Sequence, residues 1–197
     1  MNSDRLKALT DGVIAVIITI MVLEMKPPEG STPGELLKVA PVFMSYVLSF
    51  VYVAIYWNNH HHFFALTPEV NGAVMWANLH LLFWLSLIPF ATAWAGEHAL
   101  QPWPTAVYGM VLLACALAWY AMQIAIFRAQ GPASDLKRAV GRDFKGKLSP
   151  LGYTAAIAVS FVKPSTAALI YAAVAGLWLI PDRRVHRAVH GRGPTSD

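Results

Sequence analysis

An all-α membrane protein with six transmembrane helices in a single domain, residues 1–197, is the fold that the sequence predicts. Composition points there first: 56% of the 197 residues are hydrophobic, only 13% are charged, and mean hydropathy is +0.48. A soluble domain of this size has too little interior for so much apolar side chain, so the bilayer is the natural solvent. Length comes second, because crossing about 30 Å of hydrocarbon takes roughly 20 helical residues. Runs of that order recur at 8–25, 37–58, 73–95, 104–127, 148–163 and 165–181.

The distribution of charge is the third observation. Twelve of the fifteen Lys and Arg fall in three places: Arg5 with Lys7, the loop "FRAQGPASDLKRAVGRDFKGK", and the tail "DRRVHRAVHGRG". Alternate connections hold Lys26, Lys38 and Lys163 against Glu24, Glu29, Glu35 and Glu97. The excess of basic residues on one side places both termini in the cytoplasm. The net charge of +4 and pI near 9.3 therefore read as topology, and no nucleic-acid partner is expected. No cleavable signal peptide is expected, because the first apolar run begins at residue 12 with no small-residue cleavage site after it. A single cysteine, Cys115, excludes an internal disulfide.

The elements follow in order. The first span lies in "RLKALTDGVIAVIITIMVLEMK", residues 5–26, and it places Gly12, Val16, Thr19, Ile20 and Leu23 on one helical stripe. Val16 to Leu23 covers about 10 Å along the axis. Two readings stand. In one the stripe packs against a neighbouring helix, with Gly12 allowing close approach and Thr19 bonding its own backbone. In the other, copies of the helix surround an axis, and apolar rings flank a hydroxyl ring as a dewetting constriction. Asp11 adds an ionisable group near the inner end, and such groups face partners or water.

The second span follows Pro27–Pro28 and "EGSTPGE" and ends on "YWNNHHHFF", at the depth of Asp11. One hydrogen-bonded layer of Arg5, Thr10, Asp11, Trp57 and His60 is expected there. Adjacent helical residues point about 100° apart, so His60, His61 and His62 do not share one metal site, and no metal is expected. The third span holds His80, read as a hydrogen-bonded interior group. Trp57, Trp76, Trp94, Trp103 and Trp178 fall near span ends, as an interfacial belt does. The fourth span, 104–127, leads into the basic loop. The fifth is short and meets the sixth at "VKPST", where Pro164 forces a break. The pair forms a tight hairpin, or the fifth stops short of a full crossing.

These residues resemble a known family. Arg5, three residues, then Leu9, Thr10 and Asp11 is similar to the Arg…Phe-Ser-Asp signature of the transmembrane protein 175 family of lysosomal and bacterial potassium channels. "WNNHH" and "NLHLLFWLSLIPFAT", residues 78–92, extend the likeness. Leu9 and Thr10 replace the family's Phe and Ser, so the hydroxyl is kept and the ring is lost. The resemblance implies a homotetrameric, potassium-selective channel subunit of the bacterial plasma membrane, and no enzyme. Its first helix would line the pore through Val16, Thr19, Ile20 and Leu23, and Val16 departs toward a wider ring. It implies no cofactor, only permeant potassium and other monovalent cations, with the lipid bilayer as the surrounding partner. The Thr-Val-Gly-Tyr-Gly filter of ordinary potassium channels is absent from this sequence. Glu24, one residue past Leu23, reads either as an acidic ring at the outer mouth or as a solvated loop charge. The rival expectation is a proton-coupled transporter with Asp11 and His60–His62 as a relay.

Overall fold

The computed structural model describes residues 3–67, 69–131, 136–137 and 144–179. The tail that carries four of the basic residues, and residues 132–135 and 138–143 of the basic loop, lie outside the described residues. The described residues hold the helices α1 (Asp4–Leu23), α2 (Pro33–Lys38), α3 (Ala40–Ala65), α4 (Gly72–Leu85), α5 (Ile88–Glu97), α6 (Pro102–Gln130), α7 (Phe144–Ser160) and α8 (Pro164–Leu179).

Among the described residues, four helical stretches are long and apolar enough to cross a membrane. They are α1, α3, α4 with α5 taken together, and α6. The last two helices have 17 and 16 residues, about 25 Å at 1.5 Å per residue. Both fall short of the roughly 20 residues a perpendicular crossing needs.

Local chemistry sets most of the boundaries. Thr32 caps α2, its hydroxyl accepting from the Glu35 N–H at 3.4 Å, with Pro33 pre-set at the first helical position. Asn71 caps α4 in the same way, through the Val74 N–H at 3.0 Å. Gly131 ends α6 with φ at 76°, a conformation that costs glycine little. Helix α7 ends at Ser160 and α8 begins on Pro164 itself.

Three element boundaries differ from the sequence expectation. The span read as 37–58 is a short α2 followed by α3, which runs on to Ala65. The polar end "WNNHHHFFA" is thus still helical, and Trp57 sits about two turns inside the helix end rather than at it. The span read as 73–95 is broken at Ser86–Leu87. Pro89, at the start of α5, has no N–H for the Leu85 carbonyl, so the helix cannot pass through unbroken. The start of α1 at Asp4 brings Thr10 and Asp11 well inside the helix rather than near its first residue.

The long α6 is the centre of the bundle, packing on α4, α5, α7 and α8, while α1 rests on α3, α4 and α5. Short connections make successive spans antiparallel, so α1 and α3 meet with opposite ends together. Cys115, midway along α6, is fully buried. Two groups of hydroxyl hydrogen bonds tie the helices together. Tyr52 donates to the Tyr171 carbonyl at 2.6 Å, and Tyr171 donates to the Thr105 carbonyl at 3.2 Å. Thr92 donates to Ser49 at 2.7 Å, and Ser49 pairs with the Tyr108 hydroxyl at 2.9 Å.

Gly109 makes room for Tyr171, since a Cβ there would collide with its hydroxyl and stand 2.9 Å from Ile157 Cγ1. Gly109→Ala should therefore displace Tyr171 from Thr105 and cost about 1–3 kcal/mol as an overpacked core does. A thermal melt in detergent measures it, and an unchanged midpoint would show that the ring moves freely.

A polar layer and an uncovered stripe on the first helix

Helix α1 divides cleanly by face. Leu6, Thr10, Ile14, Ile17 and Met21 recur at helical spacing and are buried against the rest of the chain. Gly12, Val16, Thr19, Ile20 and Leu23 lie on the far side and are uncovered. Val16 is 55% exposed, Ile20 39% and Leu23 79%. Nothing within 4 Å meets a Cβ built on Gly12, so the close approach that glycine permits is not made inside one chain.

Thr19 is exposed, and its hydroxyl donates to its own helix, to the Val16 carbonyl at 2.8 Å and the Ala15 carbonyl at 3.2 Å. That orientation spends the proton inward. The oxygen's lone pairs are left to accept.

Leu9, Gly12, Val16 and Ile20 form one wall of an open groove of about 960 Å³, and Pro89, Phe90 and Trp94 of α5 form the other. Glu24 and Glu97 stand at its end. Lys26 reaches from the end of α1 to Glu97 at 3.1 Å, tying α1 to α5 there. Glu24 is exposed beside this pair.

At the opposite end of α1 a polar layer gathers side chains from three helices. The Trp57 indole donates to Asp11 Oδ1 at 2.9 Å. Asn78 Nδ2 donates to the Thr10 hydroxyl at 3.0 Å, and Asn78 Oδ1 faces His60 Nε2 at 2.9 Å. Thr10, Asn78 and His60 are all buried, and His60 also stacks on Phe64 with ring centres 4.3 Å apart. A buried polar triad in an apolar bundle is stable only when each member has a partner, and here each has.

The structure thus brings Thr10, Asp11, Trp57 and His60 to one depth, in two separate pieces. Asp11 and His60 bond to different partners, and among the described residues no hydrogen bond links one piece to the other. The layer differs from the sequence expectation in two members. Arg5 is exposed, and none of these bonds reaches it, because six residues place it about 120° around the helix from Asp11. Asn78 is the member that sequence reasoning missed. Its signal was an amide inside an otherwise apolar run, which needs partners wherever it is buried.

The other histidines also diverge. His61 is exposed beside Trp57, with ring centres 6.2 Å apart, and His62 is partly buried. His80 is hydrogen-bonded but not interior: it lies exposed on α4 and accepts from the Trp84 indole at 2.9 Å. The period of α4 turns its face outward, a distinction hydropathy alone does not make.

Residues 5–89, which hold all but the first residue of α1 and the whole polar layer, match the family described as endosomal/lysosomal potassium channel TMEM175. A protein of Chryseobacterium sp. named a potassium channel is 48% identical over 189 residues, covering 96% of this chain and 98% of that one. Another from Streptomyces collinus, also named a potassium channel, is 33% identical over 172 residues, covering 82% and 84%. The fold superposes on the crystal structure of a lysosomal potassium-selective channel TMEM175 homolog from Chamaesiphon minutus. The TM-score is 0.80 at 25% identity, covering 91% of this chain and 97% of that one. The chain is a multi-pass membrane protein of the TMEM175 family, a family of ion channels and not of enzymes.

Proposed function

We propose that the chain is one subunit of a homotetrameric, potassium-selective channel of the bacterial plasma membrane, with six crossings and both termini cytoplasmic. The observation that carries this reading is the uncovered stripe of α1. An apolar helix face left bare by its own chain, with one hydroxyl among isobutyl and isopropyl groups, fits a surface completed by other copies. Four such faces around an axis make rings of Val16, Thr19, Ile20 and Leu23. The potassium-channel names of the relatives agree with that assignment.

The mechanism follows from ring chemistry. Apolar rings hold little water, so an ion enters only after shedding part of its hydration shell. Potassium sheds water more readily than sodium, and the Thr19 oxygens replace part of what is lost. Glu24 stands one residue beyond the Leu23 ring, where it concentrates cations at the mouth. No carbonyl filter is needed for this discrimination. The two short helices α7 and α8 make the fifth and sixth crossings as a hairpin around Pro164.

The deciding experiment is flux through the purified protein in liposomes, with potassium, sodium and protons measured separately. Passive potassium flux down its own gradient is expected. Net accumulation of one ion driven by another's gradient would mean a transporter instead. Within the channel, Val16→Ala should widen the constriction and raise single-channel conductance to both ions. Unchanged conductance would place residue 16 outside the narrow part.

A further inference from the structure

Away from α1, the packing of α3, α6, α7 and α8 leaves a partly open pocket of about 30 Å³. Gln123, two turns before the end of α6, lines it and is 3% exposed. Its Oε1 is buried and accepts no hydrogen bond among the described residues. A buried carbonyl in that condition carries its whole desolvation cost, which native structures avoid by supplying a donor. We infer that this pocket is a binding site for one structural water molecule, which donates to Gln123 Oε1.

Three properties select water. The space is sufficient for a water, which needs about 10–15 Å³ of such room, and too small for an organic ligand. The walls are polar enough: Asn59, Ser149, Tyr56 and Tyr153 line the same space, and a buried water needs two to four partners. No lining residue carries a carboxylate, so nothing there balances a cation. Ser149 is already engaged, accepting from the Trp178 indole at 2.8 Å and donating to the Lys145 carbonyl at 2.9 Å. The remaining hydrogen-bond capacity therefore lies with Asn59 and the tyrosines.

The location gives the water a role. It joins α6 to α3 and to α7, the short helix that has the least apolar length to hold itself in a bilayer. The site is independent of the ion path on α1.

A map of the full-length protein in lipid nanodiscs, at a resolution where ordered waters are visible elsewhere, tests the inference directly. A peak within hydrogen-bond distance of Gln123 Oε1 is expected, and it should vanish in Gln123→Met. A wild-type map without that peak, or one in which Asn59 reaches Oε1 directly, overturns it. Thermal unfolding gives a second reading. Gln123→Met should lower the midpoint by a few degrees if a water bridge is lost. It should leave the midpoint unchanged or raise it if the carbonyl was merely unsatisfied, and either result overturns the inference.

Discussion

Asn78→Leu should lower the stability of the folded protein by about 2–4 kcal/mol, seen as a lower melting midpoint and early loss of the assembled species on size exclusion. The change keeps the branched outline of the side chain but strips the donor from Thr10 and the partner from His60, both buried. Each orphaned group carries a desolvation cost, although Thr10 can turn its hydroxyl back onto its own helix and recover part of it. Asp11→Ala should act more gently, because the Trp57–Asp11 contact is exposed in the single chain. It should weaken assembly before it alters ion preference. A variant at Asp11 that stays fully assembled yet loses selectivity would make the carboxylate a permeation group rather than a fastener. Asn78→Leu with an unchanged midpoint would mean that the triad forms without contributing.

Thr19→Val should lower the potassium-to-sodium permeability ratio roughly tenfold, the factor that about 1.4 kcal/mol gives. Valine keeps the branched shape and removes only the oxygen. The hydroxyl proton is held by the Val16 and Ala15 carbonyls, so the oxygen is left to accept. That is the polarity a partly dehydrated cation needs. If reversal potentials in bi-ionic solutions do not move, the apolar rings alone do the sieving and Thr19 only packs.

Much of the architecture was legible because hydropathy and charge report on the bilayer directly. The first and fourth spans, the break before Pro164 and the depth shared by Asp11 and Trp57 follow from run length and counting. What was hidden depended on neighbours. A window average cannot see that Pro89 interrupts a continuous apolar run, nor that α3 stays helical through three histidines. Asn78 was visible as an amide in a greasy segment, but its partners lie on two other helices, at residues 10 and 60. Sequence spacing predicted the Val16–Leu23 stripe; that its face is left bare came only with the fold. Arg5 shows the reverse error: it was expected in the layer, but it lies on another face of α1, is exposed and joins none of the layer's bonds.

The burial of Cys115 has a practical corollary. Its sulfur lies in the middle of α6, away from water-borne reagents, and it is the chain's only thiol. The native protein is thus a silent background for thiol chemistry, and no cysteine has to be removed before new ones are introduced. Cysteines placed one at a time along α1 report, by their rate of labelling, which flank of that helix meets water. The bare flank at 16 and 23 and the packed flank at 17 and 21 then become two reactivity classes, legible in a gel-shift assay before any current is recorded.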